Sequence, residues 1–180
     1  MRIIAGEWRG RPLSAPKGDA TRPTADRTRE TLFSMLTSRL GSFEGLAVAD
    51  LFAGSGALGL EALSRGAASC LFVENERPAL DALAGNIAKL QAATRATVLP
   101  QSVLTLGQAR ATFDLVMMDP PYATGAGAVA LDKLARLGWI APATWVAIET
   151  GAKETIEVAG FTVETVRNTG KARLHLLQQA

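Results

Sequence analysis

The sequence predicts an α/β fold, a doubly wound and largely parallel sheet of seven strands that ends in an antiparallel pair. Three observations carry this. From Leu46 onward, short apolar runs alternate with stretches of helical spacing, the pattern of strands joined by crossover helices. The first run closes at Asp50-Leu51 and leads at once into Gly54-Ser55-Gly56-Ala57-Leu58-Gly59 and a helix, the connection found at the carboxyl edge of such sheets. The last two runs are separated only by Asn168-Thr169-Gly170-Lys171, too short for a parallel crossover, so they must form a hairpin.

The elements follow in order. Residues 2–13 hold two short extended pieces around Gly6-Glu7-Trp8-Arg9-Gly10 and predict a hairpin or mobile strand pair. Residues 14–23, rich in Pro, Gly and charge, read as a loop. From Asp26, placed as an N-cap, Leu32, Phe33, Leu36 and Leu40 recur at helical spacing until Gly41. Strands are expected at 46–51, 69–73, 96–99, 113–118, 145–149, 161–167 and 172–177. Helices are expected through 58–64, from Pro78 (proline suits a first turn) to Gln91, and near 129–137. The chain divides into an N-terminal extension, 1–44, and a main domain, 45–180.

Composition sets the class. No apolar stretch approaches a membrane span, and the start Met1-Arg2-Ile3-Ile4-Ala5-Gly6 lacks the apolar centre of a secretory signal, so a cytoplasmic, monomeric protein is expected. The single cysteine, Cys70, excludes an internal disulfide and supplies no metal cluster. Net charge is only +2, but residues 1–40 carry eight basic against four acidic residues while the rest is slightly acidic. A basic arm on such a body points to a polyanion, with Arg2, Arg9, Arg11, Arg22, Arg27, Arg29 and the ring of Trp8 as candidate nucleic-acid contacts.

Gly54, Gly56 and Gly59 match G-x-G-x-x-G, which alone could serve a dinucleotide or the carboxylate of an amino-acid moiety at a helix start. Asp50 tilts the choice. An acid just before the loop repels a pyrophosphate but suits the cationic methionine portion of S-adenosylmethionine. Glu74 closes the second strand, where an acid can accept from both ribose hydroxyls. Asp50, Phe52, Ala53, Gly54, Ser55, Gly56, Glu74 and Asn75 are therefore the candidate cofactor residues.

Asp119-Pro120-Pro121-Tyr122 ends the fourth strand. Two prolines remove two N–H donors and stiffen the backbone, so that carbonyls are left to accept beside a carboxylate and an aromatic ring. The tetrapeptide resembles the Asp/Asn/Ser-Pro-Pro-aromatic motif of methyltransferases that act on exocyclic amines of nucleobases. Such an amine is a poor nucleophile because its lone pair is delocalised into the ring. Hydrogen bonds to the Asp119 side chain and the Pro120 carbonyl localise that pair and aim it at a methyl donor. With an ordinary carboxylate pKa, Asp119 is an orienting acceptor rather than the base. Tyr122 would stack on the extruded base. Cys70 lies inside a strand pattern and His175 alternates with Leu174 and Leu176, so neither is needed for the chemistry.

The predicted order of strands with a terminal antiparallel pair resembles the class I S-adenosylmethionine-dependent methyltransferases. Residues 2–11, 22–33, 50–66 and the tetrapeptide resemble, in that order, the RsmD family of bacterial 16S rRNA guanine-N2 methyltransferases. The resemblance implies S-adenosylmethionine as cofactor, the small-subunit rRNA, within an assembled or partly assembled subunit, as partner, and residues 22–29 over the cofactor and the RNA entrance. Where that family presents an Asn/Asp-Ala pair to the adenine, this chain has Ser102-Val103. Two other readings stay open, a DNA adenine-N6 methyltransferase and a non-catalytic RNA-binding module of the same fold.

Overall fold

The computed structural model describes residues 1–17, 23–121 and 124–180, without the side chains of residues 23 and 24. After helix α1 (Pro23–Leu40), strands and helices alternate: β1 (Ala47–Leu51), α2 (Ala57–Ser64), β2 (Ser69–Glu74), α3 (Arg77–Lys89), β3 (Ala96–Pro100), a 3-10 turn at Val103–Thr105, β4 (Leu115–Met118), α4 (Ala126–Arg136), β5 (Trp145–Gly151), β6 (Phe161–Thr169) and β7 (Ala172–Gln179). The sheet order is β3-β2-β1-β4-β5-β7-β6. Strands β1 to β5 pair in parallel, and β7 runs antiparallel between β5 and β6. This is the expected seven-stranded architecture. The hairpin between β6 and β7 is tighter than expected: Thr169 pairs with Ala172, so the turn is only Gly170-Lys171.

Strand periodicity divides the core into two layers. Val48, Phe72, Met117 and Ala147 face α1, α2 and α3, whereas Ala49, Val73, Met118 and Ile148 face α4. Gly59 explains how closely α2 can lie on the sheet, since a Cβ there would stand 2.3 Å from Phe72 Cε1 and 2.6 Å from Cys70 Sγ. Helix α1 begins at Pro23, ahead of the expected Asp26 cap, and Asp26 instead pairs with Arg29 in the first turn.

The N-terminal segment folds back as a short antiparallel hook, the hairpin among the two expected forms: Arg2 and Pro12 form a bridge, Ile3 N–H donates to the Arg11 carbonyl and Leu13 N–H to the Met1 carbonyl. It is pinned to α2. The Glu61 carboxylate accepts from the backbone N–H groups of Ile4 (2.9 Å) and Ala5 (3.0 Å). Ser64 accepts through Oγ from Trp8 N–H and through its carbonyl from Glu7 N–H. Gly6 has φ +90, and a Cβ there would collide with the Ser64 carbonyl. Ile3, Trp8 and Leu13 complete the core layer on this face, so the hook is packed against the domain.

Glu61 is fully buried, and its charge is matched by Arg29 (3.5 Å), itself 4% exposed, and Arg65 (2.9 Å). Removing one member of such a group strands the others without water. Glu61→Ala should therefore cost about 3–5 kcal/mol in denaturant unfolding. Arg77→Ala, which breaks the exposed pair with Asp81, should stay within roughly 0.5 kcal/mol of wild type.

Candidate active site

Parallel register brings four acids to one face at the carboxyl edge of the sheet. Asp50 on β1 is level with Phe72 on β2 and Met117 on β4, and Met117 is level with Ala147 on β5. Two residues further on stand Glu74, Asp119 and Glu149. Alternation keeps all three on the Asp50 side, with Asp50 roughly 6–7 Å deeper. The strand order reverses between β1 and β4, the position where a crevice opens in such folds.

Asp50 is buried. Its Oδ2 accepts from Gly59 N–H at 2.9 Å, while Oδ1 has no partner. Burial, against the Gly59 bond and helped by the Glu74 charge, pushes its carboxyl up to about 8. An orphaned carboxylate oxygen at the crevice floor fits a cationic ligand group, as the sequence suggested. The raised pKa favours the protonated form in the empty site, and a cationic group there would oppose it. Glu74 is more occupied than expected: Oε1 accepts from Gly54 N–H and Oε2 from the N–H groups of Asn75 and Glu76. A carboxylate has about four acceptor sites, so there is room for one hydroxyl without rearrangement and not for two.

The loop between β1 and α2 is tightly built. Phe52 adopts φ +60, unusual for a bulky residue. Ala53 N–H reaches Val73 across the sheet, and the Ser55 carbonyl accepts from buried Asn86 on α3. Asn86 also exchanges hydrogen bonds with Ser14, which links the glycine loop to the N-terminal hook. Gly54 faces open space, whereas a Cβ on Gly56 would press against Leu83. Ser102 caps the 3-10 turn by accepting from Leu104 N–H, which leaves its hydroxyl a second lone pair and its own proton, and Val103 packs in the core. Asn75 is exposed beside Glu74.

At the end of β4, Pro120 is buried against Gly127, and Pro121 is exposed with its carbonyl accepting from Thr124 Oγ1. Tyr122, expected to stack on the base, lies outside the described residues, as does Arg22. Asp119 is exposed. Its carboxyl is pushed well above the ordinary carboxylate range by desolvation, then by the charge of Glu149 and a side-chain hydrogen bond to it, and by Asp50. Water in the open crevice moderates that push, and a ligand that fills the crevice restores it. This corrects the expectation of an ordinary pKa. Asp119 can take up a proton as well as orient a donor.

The basic candidates separate. Arg2, Arg9, Arg11 and Arg27 are exposed, although Arg11 also donates to the Lys89 carbonyl. Arg29 is buried against Glu61, Asp26 and the Arg2 carbonyl, so its guanidinium holds the hook and is not offered to a polyanion. Trp8 is also buried, with the Arg95 guanidinium 5.3 Å from its ring centroid. Cys70 is buried, and its thiol is raised by desolvation. His175 bonds Thr150 Oγ1 at 2.9 Å, as a core residue does. Sequence reasoning missed Glu149 and Glu61, although Glu149 could have been found as the acid closing a strand beside β4. No group of residues suited to a metal ion occurs among the described residues.

The family model of Conserved hypothetical protein 95 matches residues 1–178. Ribosomal RNA small subunit methyltransferase D of Escherichia coli K12 is 35% identical over 99% of this chain and 90% of its own. The Haemophilus influenzae protein of the same name is 36% identical over 99% and 93%. The chain belongs to the RsmD family. A solved structure of the E. coli protein yhhF covers 99% of this RsmD-family chain and 97% of its own, with 36% identity and TM-score 0.85. The fold is that of the class I S-adenosylmethionine-dependent methyltransferases. It extends to magnesium protoporphyrin IX methyltransferase of Synechocystis, solved with bound S-adenosylmethionine, at 16% identity over 91% and 87% of the chains and TM-score 0.69.

In this RsmD-family chain the buried Asp50 has a consequence for stability. Its folded pKa, about 8, exceeds the ordinary aspartate value of 3.8. Between those pH values the folded state keeps a proton that the unfolded state gives up, so stability declines as pH rises from about 4 to 8. Asp50→Asn removes that titration. The variant should be more stable than wild type at pH 8, with the gap narrowing toward pH 4, as read from denaturant midpoints across pH.

Proposed function

We propose that this protein transfers a methyl group from S-adenosylmethionine to the N2 amine of a guanine in 16S rRNA, within the small subunit or a precursor of it. An rRNA methyltransferase follows from family membership. The finer assignment is supported chiefly by one observation: Asp119 stands on the same face and edge as Asp50 and Glu74, two strands from the Glu74 position across β1. The residues fit the cofactor. Asp50 and its unpartnered Oδ1 face the cationic amino-acid portion, Glu74 a ribose hydroxyl, and the loop at Gly54 lies open to the ligand. The cofactor supplies an electrophilic methyl group on a sulfonium.

The chain's own residues do the rest. Asp119 accepts one amine hydrogen and the Pro120 carbonyl the other, which returns the lone pair to nitrogen. As the nitrogen forms its new bond, its surplus proton passes to Asp119, whose raised pKa suits it to receive one. Exposed Arg2, Arg9, Arg11 and Arg27 lie on the segments that would approach the phosphate backbone.

Labelled S-adenosylmethionine should mark one guanine in unmodified small subunits, and neither duplex DNA nor a subunit already methylated there. Marking of adenine in DNA would overturn the assignment. Asp119→Ala should lower transfer by about a hundredfold or more while calorimetric affinity for S-adenosylmethionine stays near wild type. Replacing Arg9 and Arg11 with Ala should weaken binding to subunits and reduce the slope of log affinity against log salt by about 2, since each arginine neutralises roughly one phosphate.

A further inference from the structure

The crevice that an rRNA strand must enter has acidic walls. Asp50, Glu74, Asp119 and Glu149 stand at its edge of the sheet, and they offer a phosphate backbone no hold. The exposed arginines of the hook lie elsewhere. Trp8 N–H is tied to Ser64, the last residue of α2, and Arg11 donates to the carbonyl of Lys89, the last residue of α3. Both helices run away from the carboxyl edge, so these anchors stand roughly 12 and 20 Å from it at 1.5 Å per residue.

The other flank of the crevice carries cations at the edge itself. Ala172, the first residue of antiparallel β7, pairs with Gly151 at the end of β5, so the Gly170-Lys171 turn projects beyond the carboxyl edge. Residues 150–154 and 167–173 form this tip and hold Lys153, Arg167, Lys171 and Arg173 against one acid, Glu154. Arg173 braces it. Its Nε donates to Asn168 Oδ1 (2.9 Å) and its Nη1 to the Glu154 carbonyl (3.0 Å), while Ala152 N–H donates to the Lys171 carbonyl (3.0 Å). Lys153, Arg167 and Lys171 are exposed. Register fixes the face of Arg167: Glu149 is partnered by Leu174 and Leu174 by Arg167, so all three project from one side of the sheet. That is the side of Asp119, three strands and roughly 14 Å away.

We propose that the tip between β6 and β7, through Lys153, Arg167 and Lys171, is a second rRNA-binding surface that holds the phosphate backbone where the strand leaves the crevice. This surface serves the rRNA methylation proposed above and rests on that reading. Its three exposed cations come from two chain segments on a braced backbone, and a row of phosphates can meet all of them at once. The hook holds the RNA from the far ends of α2 and α3, and the tip holds it beside the reacting base. Attraction at the tip offsets the repulsion between the backbone and the acids of the crevice.

Binding and methylation of unmodified small subunits, followed across salt concentration, test this. Lys153→Ala, Arg167→Ala and Lys171→Ala together should weaken subunit binding roughly tenfold or more and lower the slope of log affinity against log salt by about 2, as three contacts to a single strand require. KM for subunits should rise in step, while kcat stays within about threefold because the tip touches no reacting atom. Calorimetric affinity for S-adenosylmethionine should be unchanged. Arg110→Ala with Arg136→Ala, which removes exposed cations beyond the end of α4 at the opposite edge of the sheet, should leave the slope as it is. A triple variant with the wild-type slope and KM overturns the tip. So does a loss seen with whole subunits but not with protein-free 16S rRNA, which assigns the tip to a ribosomal protein. Sedimentation reads binding without turnover and so separates the two claims: subunits that bind through the tip yet gain no methyl group on guanine refute the assigned reaction alone.

Discussion

Burial of Asp50 at the end of the central strand is the constraint on which the crevice depends. Strand β1 lies between β2 and β4, with α2 packed over it through the bare face of Gly59. A carboxyl placed there loses water on every side, and the hydrogen bond from Gly59 N–H does not compensate. The fold tolerates this because hydrophobic burial along two core layers is large compared with one unfavourable group. Natural sites of this kind hold strain that a ligand relieves. The same pairing that isolates Asp50 aligns Glu74, Asp119 and Glu149 above it.

Burial and the neighbouring acids hold two of these four carboxyls, Asp50 and Asp119, above the ordinary carboxylate range. The hook adds a mechanical link. Glu61 clasps it to α2, and Asn86 ties Ser14 of the hook to the Ser55 carbonyl of the glycine loop. The segment nearest the exposed arginines is thereby continuous with the segment nearest the cofactor residues.

Much of this was legible in the sequence, for identifiable reasons. Strand and helix periodicities are local, so all seven strands and their order of appearance could be read, and Asp50, Glu74 and Asp119 stood out as acids that end strands. What was not legible depends on contacts between distant segments. Arg29 looked like one more cation in a basic arm, until its partner Glu61 proved to lie buried on α2. Trp8 looked like a stacking residue and is core. Ser102 stood out only as a departure from the family's pair, and its hydroxyl also caps the turn that follows it. The pKa of Asp119 could not be judged without knowing that β5 would lie beside β4 and bring Glu149.

At the centre of this picture is the buried Asp50, whose raised pKa a cationic ligand group beside it would reverse. Calorimetry of S-adenosylmethionine binding at pH 7, repeated in buffers of different ionisation enthalpy, measures the protons exchanged. With Asp50 at about 8, binding should release about one proton to the buffer, and Asp50→Asn should abolish that release. Binding of normal affinity with no proton release by the wild-type protein would contradict it.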